Sequence, residues 1–239
     1  MKNAYPTLFI DRDGVLVEEP PDEQVDRLDK IRFVPGVFAA LAELQRAGYR
    51  LVMVTNQDGL GTESFPQDHF ERCQQFILDA LSSQGVRFDA VCICPHRPAD
   101  DCDCRKPKTG LLESYLAEHD YVREQSAVIG DRDTDMQLAT NLGVRGLRLK
   151  LNGTPAETWA GIARELTIRR ATVLRRTQET HISVSVALGS EEPSHVTTGI
   201  GFFDHMLEQL SKHGGFSLQL DCKGDLHIDE HHTIEDLSL

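Results

Sequence analysis

The chain has 239 residues, of which 40% are hydrophobic, and a formal net charge of −13 at pH 7. A chain of this length can bury a substantial core, and its acidity argues against nucleic acid and anionic membranes as partners. The sequence contains no apolar stretch of about 18 residues and no N-terminal signal-peptide pattern, so we expect a cytoplasmic protein without membrane spans. In that compartment the six cysteines are thiols or metal ligands rather than disulfides.

Short apolar runs alternate with helical patterns over the first two thirds of the chain. The apolar runs predict four buried strands, at residues 8–10, 51–54, 90–93 and 126–129. Amphipathic periodicity predicts four helices, at residues 37–47, 70–81, 110–119 and 133–142. Apolar strands separated by helices imply an α/β fold with a parallel sheet, in which ligands bind at the carboxyl ends of the strands.

The composition changes after residue 150, and we place a domain boundary near residue 166. A helix-like stretch around Trp159, the only tryptophan, ends the first domain. Beyond it, residues 171–188 alternate apolar and polar side chains, which predicts a strand region. Most of the histidines also lie there, so residues 1–166 and 167–239 are predicted to be two domains with different chemistry.

Two carboxylates, Asp11 and Asp13, directly follow the first predicted strand. Because strand side chains alternate with period two, both point to the same side. At that range two ionised carboxylates repel unless a cation lies between them or one of them holds a proton. The pair could therefore share Mg²⁺, or divide the roles of nucleophile and proton carrier, although a plain Asp-rich turn has the same local sequence.

Three further signals follow the predicted strands in order. Thr55 and Asn56 come after the second strand, Lys106 precedes the third helix, and Asp131 comes after the fourth strand. With the Asp pair, this set resembles the haloacid dehalogenase superfamily of phosphohydrolases over roughly residues 1–165. The resemblance implies a Rossmannoid parallel sheet and Mg²⁺-dependent hydrolysis of a small-molecule phosphate ester.

The resemblance also implies a role for each residue. Asp11 is the nucleophile that forms an aspartyl-phosphate, and Asp13 is the general acid and then the general base. Thr55, the backbone of Asn56 and Lys106 bind the phosphoryl oxygens. The residues implied to hold Mg²⁺ are Asp11, Asp13 through its backbone carbonyl, and Asp131. Asp135, one helical turn after Asp131, is expected to orient Lys106 or a metal-bound water.

A polar loop before Lys106 contains three thiols and an imidazole in close spacing. These are the four ligands of a closed tetrahedral Zn²⁺ site, which predicts a structural zinc loop. The ligands are Cys94, His96, Cys102 and Cys104. Within the superfamily, this loop resembles two branches, the histidinol-phosphate phosphatases and the heptose bisphosphate phosphatases.

The last third of the chain resembles the start of the imidazoleglycerol-phosphate dehydratase family. The motif residues are His205, His231, His232 and Glu235. The resemblance implies a partial α+β domain with a partial metal site, suited to Mn²⁺, that could mediate a homo-oligomer. Because the second half of the ligand set is missing, we expect no dehydratase turnover from this chain alone.

Both resemblances point to histidine biosynthesis and favour histidinol phosphate as the substrate. Its ammonium group needs an acidic partner near the site, and Glu19 is the candidate. A heptose bisphosphate phosphatase and a metal-binding assembly module without activity remain the alternatives.

Overall fold

A computed structural model of the chain describes residues 4–190 and 192–239. These residues divide into two compact units, one ending at Thr167 and the other beginning at Ile168. None of the helices within the described ranges has the length and apolar character needed to cross a membrane.

The first unit is built on parallel strands. They are β1 (Ala4–Tyr5), β2 (Thr7–Ile10), β3 (Arg50–Asn56), β4 (Ala90–Cys94), β5 (Asp120–Tyr121), β6 (Ala127–Gly130) and β7 (Arg145–Arg148). Strands β1 and β5 form a separate pair, and the other five form one sheet in the order β4-β3-β2-β6-β7. Strand β2 is central and lies between β3 and β6, so three of the predicted strands end side by side.

Four helices lie between these strands in the chain, and a fifth follows β7. They are α1 (Val37–Arg46), α2 (Gln67–Ser83), α3 (Glu113–Glu118), α4 (Asp133–Leu142) and α5 (Trp159–Thr167). The predicted α/β fold is confirmed, with three local differences, the first being the short β1–β5 pair, which was not predicted. The third predicted helix divides into a 3-10 turn at Gly110–Leu112 and the shorter α3. Strand β7 was not predicted, because this edge strand buries only Leu147 and has no apolar run.

Both faces of the five-stranded sheet are buried, as the continuous apolar strands predict. Alternate residues of β2 point to opposite faces: Leu8 and Ile10 belong to one apolar cluster, and Phe9 belongs to the other. Trp159 of α5 lies in the cluster with Leu8 and is completely buried. Its indole Nε1 donates a hydrogen bond of 2.8 Å to the backbone oxygen of Val15. The helix at the end of this unit therefore supports the loop that follows β2.

The second unit is an α+β arrangement, as the dehydratase resemblance implies. Its elements are β8 (Arg169–Arg176), β9 (His181–Leu188), β10 (His195–Thr197), α6 (Gly201–Gly214), β11 (Phe216–Lys223) and α7 (His231–Ser238). The strand order is β10-β11-β9-β8, in which only the β10–β11 pair is parallel. Apolar side chains remain exposed, including Leu174 on β8 at 73% and Phe202 on α6 at 76%.

We expect the substitution Trp159→Phe to lower the free energy of unfolding by about 2 kcal/mol. It leaves the Val15 oxygen without its donor and opens a gap in a fully buried site. Urea unfolding followed by circular dichroism measures the change. The control is Phe76→Leu on α2, a loss of aromatic volume at a side chain that is 46% exposed, which should change stability by less than about 0.5 kcal/mol. Equal stability of the Trp159→Phe variant and the unsubstituted chain would contradict the supporting role of α5.

Candidate active site

The loop after β2 places Asp11 and Asp13 at the carboxyl edge of the sheet. The backbone N–H of Asp11 donates to the oxygen of Ile129 on β6 at 3.0 Å, which extends the ladder by one residue. Gly14 then turns the chain with φ of +76°, a conformation that L side chains rarely adopt. Asp11 and Asp13 are both buried and both line a cavity of about 230 Å³.

A buried lysine joins two carboxylates at this edge. The Nζ of Lys106 lies 2.8 Å from Oδ1 of Asp11 and 2.7 Å from Oδ1 of Asp135. Its backbone is fixed by Asn56, whose Oδ1 accepts from the Lys106 N–H at 3.1 Å and whose Nδ2 donates to the Lys106 oxygen at 3.4 Å. Asp135 is completely buried on α4, which approaches β6 closely where Gly130 has no side chain. The sequence-based expectation that Asp135 orients Lys106 agrees with this contact.

Burial and charge together set the protonation of this cluster. Burial raises the pKa of Asp11 to about 7, against the lowering effect of Lys106 and with a further rise caused by Asp135. Burial also raises the pKa of Asp131, and the charge of Asp135 adds to that rise. Burial alone would lower the pKa of Lys106, but the charges of Asp11 and Asp135 outweigh it and the pKa is raised. The lysine therefore stays charged.

Three carboxylates at this edge could hold a metal ion. Oxygens of Asp11, Asp131 and Asp135 lie within 4.8 Å of one another. Oδ1 of Asp131 is buried and has no hydrogen-bond partner among the described residues. When all three carboxylates are ionised, one lysine balances only one of their charges, so this all-oxygen group fits a hard divalent cation. The predicted magnesium ligands Asp11 and Asp131 are thus brought together.

A buried arginine, which the sequence analysis missed, holds Asp13. Arg12 is completely buried, and its Nε and Nη2 each donate to a different oxygen of Asp13 at 2.8 Å. The same guanidinium donates to Oε1 of Gln57 at 2.8 Å and to Oε1 of Gln74 at 3.3 Å. No local pattern reveals this arrangement: period-two alternation sets Arg12 apart from Asp11 and Asp13, whereas the guanidinium folds back onto Asp13.

Thr55, at the end of β3, also lines the cavity and is buried. Its Oγ1 accepts a hydrogen bond of 2.8 Å from Nε2 of Gln57. Glu19 lies at the same cavity, but its carboxylate is paired with the guanidinium of Arg132. Two other acidic residues of the same loop, Asp22 and Glu23, line the rim beside it.

The predicted loop ligands form a second cluster. Cys94 is the last residue of β4. Its Sγ lies 3.7 Å from Nδ1 of His96, 3.7 Å from Sγ of Cys102 and 3.2 Å from Sγ of Cys104. Nδ1 of His96 lies 3.1 Å from Sγ of Cys104, and the Sγ atoms of Cys102 and Cys104 are 3.4 Å apart. All six cysteines are free thiols. The four side chains therefore form a compact group that could bind a metal ion.

Only two of the four predicted ligands of the second unit contact each other. His231 contacts Glu235 one turn along α7, with 3.3 Å between Nε2 and Oε2. His232 instead pairs through Nδ1 with Asp225 at 3.0 Å, a residue that the sequence analysis did not single out. Within the described parts of the chain, His205 joins neither of these pairs, and the four predicted residues form no common group with metal-binding spacing.

We expect Gly14→Ala to weaken Mg²⁺ binding by at least about tenfold. A Cβ at this position would lie 2.3 Å from Oδ2 of Asp131 and displace that carboxylate. Titration calorimetry with Mg²⁺ measures the change. The control, Gly61→Ala, carries the same backbone strain at φ of +87° with no atom within 4 Å, so its affinity should stay near that of the unsubstituted chain. Equal Mg²⁺ affinities of the two variants would contradict the assignment of Asp131.

Two family models match separate parts of the chain. The HAD-hydrolase-like model matches residues 103–167, and the imidazoleglycerol-phosphate dehydratase model matches residues 198–239. Both resemblances drawn from the motifs are therefore confirmed.

Solved structures resemble the first unit. D,D-heptose 1,7-bisphosphate phosphatase from B. bronchiseptica, complexed with magnesium and phosphate, is 28% identical with a TM-score of 0.59, covering 67% of this chain and 97% of that one. A HAD-like phosphatase from Mesorhizobium loti is also 28% identical, with a TM-score of 0.56, covering 63% of this chain and 74% of that one.

Curated relatives extend over both units. The histidine biosynthesis bifunctional protein HisB of Legionella pneumophila (strain Lens) is 54% identical over 97% of this chain, which spans 65% of that relative's length. The Campylobacter jejuni protein of the same name (strain 81-176) is 51% identical with the same coverage. The Actinobacillus pleuropneumoniae serotype 3 protein is 49% identical over 99% of this chain and 67% of its own length. The chain belongs to the HisB family of bifunctional histidine-biosynthesis proteins.

Proposed function

We propose that this chain hydrolyses L-histidinol phosphate to L-histidinol and phosphate through an aspartyl-phosphate on Asp11. The observation that carries the proposal is the buried ion pair of Asp11 with Lys106 at the carboxyl edge of the sheet. A carboxylate beside a fixed positive charge supports this role, because phosphoryl transfer requires a nucleophile and positive charge near the transferring oxygens. Membership of a histidine-biosynthesis family supports histidinol phosphate as the ester.

In the first step, a carboxylate oxygen of Asp11 attacks phosphorus, and the bond from phosphorus to the ester oxygen breaks. The leaving alkoxide takes a proton from Asp13, carried on Oδ1 while Oδ2 keeps its hydrogen bonds from Arg12 and Gln57. In the second step, water attacks the phosphorus of the aspartyl-phosphate while Asp13 accepts a proton from it. Phosphate leaves and Asp11 is regenerated, so Asp13 acts first as acid and then as base.

The cavity offers groups for both parts of the substrate. Lys106 with Thr55 and the backbone of Asn56 would bind the phosphoryl oxygens. Asp11, Asp131 and the backbone carbonyl of Asp13 would hold Mg²⁺, which neutralises phosphoryl charge when it is bound. Because Glu19 is engaged by Arg132 and Asp22 by Lys30, we assign the ammonium of histidinol phosphate to the acidic rim as a whole, in which Glu23 also takes part.

A phosphatase for heptose bisphosphate is the second candidate, because structures of that enzyme class share the fold. Initial rates with histidinol phosphate and with heptose bisphosphate, each with and without Mg²⁺, separate the two. We expect Mg²⁺-dependent turnover with a higher kcat/KM for histidinol phosphate. A higher kcat/KM for the heptose ester would identify that ester, and not histidinol phosphate, as the substrate.

We expect Asp11→Asn to lower kcat by at least about 10³-fold, because an amide cannot act as the nucleophile. The matched control is Asp68→Asn, the same change at an exposed position on α2, which should leave the rate unchanged. Circular dichroism verifies that both variants fold. Full activity in the Asp11→Asn variant would overturn the covalent mechanism, and no hydrolysis by the unsubstituted chain would favour a non-catalytic assembly module.

We also propose that the cysteine and histidine cluster binds a structural Zn²⁺. A tetrahedral site with Zn–S bonds of about 2.3 Å has ligand-to-ligand edges of about 3.6–3.8 Å. The observed separations of 3.1 to 3.7 Å are close to those edges. Four protein ligands fill the coordination shell, which suits a structural rather than a catalytic ion.

Removal of the ion should lower the melting temperature by at least about 5 °C, because the polar loop has no apolar core of its own. Cys104→Ser should lose bound zinc, measured by elemental analysis, and melt at the lower temperature. Cys92→Ser serves as the control, since Cys92 lies on β4 outside the cluster. Unchanged melting of the Cys104→Ser variant would refute the structural role.

For the second unit we propose a role in oligomer contacts and no catalytic activity. Its motif residues are not assembled among the described residues, so we do not extend the activity of this chain to dehydration of imidazoleglycerol phosphate. Mn²⁺ would be a cofactor only if the dehydratase site were complete. The exposed apolar side chains of α6 support a role in homo-oligomer contacts, and the free thiols support a cytoplasmic location.

A further inference from the structure

The side-chain amide of Gln57 has only one orientation that satisfies its neighbours. The Nη2 atom of Arg12 donates a hydrogen bond of 2.8 Å to one end of this amide. An arginine carries donors and no acceptor, so the oxygen of the amide must face Arg12 and the nitrogen must face the opposite way. Gln57 is almost completely buried, at 2% exposure, so water does not compete for these positions.

Both hydrogens of the Gln57 nitrogen are used at that opposite end. Nε2 lies 2.8 Å from Oγ1 of Thr55 and 2.8 Å from Oδ2 of Asp13. An amide nitrogen carries two hydrogens, and the two acceptors account for both of them. The hydroxyl oxygen of Thr55 therefore acts as an acceptor toward Gln57, and its own hydrogen points elsewhere.

Arg12 is itself held in place, so the orientation of the amide is fixed by a rigid frame. Its guanidinium is bound by both oxygens of Asp13 and by Gln74, and it lies over the ring of Phe70 at 4.9 Å from the centroid. Rotation of the Gln57 amide would put its nitrogen against the donors of Arg12 and leave Thr55 and Asp13 without their donor. Such a reversal loses several buried hydrogen bonds at once.

We propose that Gln57 is a positioning residue that aims the hydroxyl hydrogen of Thr55 into the cavity, where it donates to a phosphoryl oxygen. The inference rests on the proposed function, since Thr55 takes its role from it. Thr55 lines the cavity, and its hydroxyl hydrogen has no acceptor among the described residues. A hydroxyl held in this way is ready to donate before the phosphate arrives, which lowers the ordering cost of binding.

A double-mutant cycle on phosphate binding tests the coupling of Gln57 and Thr55. The variants are Gln57→Met, which keeps the length of the side chain but has no amide, Thr55→Val, which has no hydroxyl, and the two combined. Calorimetry with inorganic phosphate in the presence of Mg²⁺ gives each Kd. We expect Gln57→Met to weaken binding about tenfold in the unsubstituted chain and less than about twofold in the Thr55→Val background. In the Thr55→Val background no hydroxyl remains for Gln57 to orient.

Gln74→Met is the matched control, because Gln74 also contacts Arg12 but is not bonded to Thr55 or Asp13. It should change phosphate affinity less than about twofold, with the same factor in the Thr55→Val background. If Gln57→Met does not fold, Gln57→Glu replaces it. In this variant one carboxylate oxygen still accepts from Arg12. The other oxygen takes the place of the amide nitrogen and accepts the hydroxyl hydrogen of Thr55, which then no longer points into the cavity. Its affinity loss should also shrink in the Thr55→Val background.

Additive losses in the cycle, or unchanged affinity in either single variant, would overturn the positioning role of Gln57. Such a result leaves the proposed function intact as long as the unsubstituted chain hydrolyses histidinol phosphate. If the unsubstituted chain neither binds phosphate nor hydrolyses the ester, the proposed function fails first, and the role of Gln57 fails with it.

Discussion

The buried ammonium group of Lys106 is the interaction on which the first unit's chemistry depends. It lies within 2.8 Å of one carboxylate from the loop after β2 and one from α4, and all three side chains are buried, so solvent screening is weak. Loss of one member of such a group leaves an uncompensated buried charge, at a cost of about 3–5 kcal/mol. The sheet edge, the helix and the loop are therefore held in one arrangement by a contact that also prepares the nucleophile.

Lys106 lies in the loop that connects β4 to α3. This loop begins at Cys94, which pairs with Asn56 in the sheet register, and it reaches Lys106 two residues after Cys104. Asn56 then fixes the backbone of Lys106 through two hydrogen bonds. The thiol cluster and the active-site lysine are thus parts of one short segment, anchored at both ends to the same strand pair, and order in one constrains the other.

Local sequence signals predicted the residues that directly follow a strand. Asp11, Thr55 and Asp131 were predicted because the carboxyl ends of parallel strands meet at one edge, and the structure places them there. The Arg12–Gln57 network was missed because its partners are up to 62 residues apart, and no local pattern encodes such a pairing.

Strand β7 was missed for a different reason, since an edge strand needs no apolar run. In the second unit, the i to i+4 spacing predicted the His231–Glu235 contact but could not reveal Asp225 as the partner of His232.

The central position of β2, between β3 and β6, separates two tasks of the polypeptide. Residues at the strand ends carry the chemistry, whereas the rim residues Glu19, Asp22 and Glu23 come from a connecting loop whose apolar side chains, such as Val25, belong to the core. Substitutions of the polar rim side chains can therefore reshape what the cavity accepts without disturbing the groups that handle phosphorus. The architecture is therefore evolvable: closely related scaffolds can diverge toward different esters by drift in their loops, while the strands stay under strict selection.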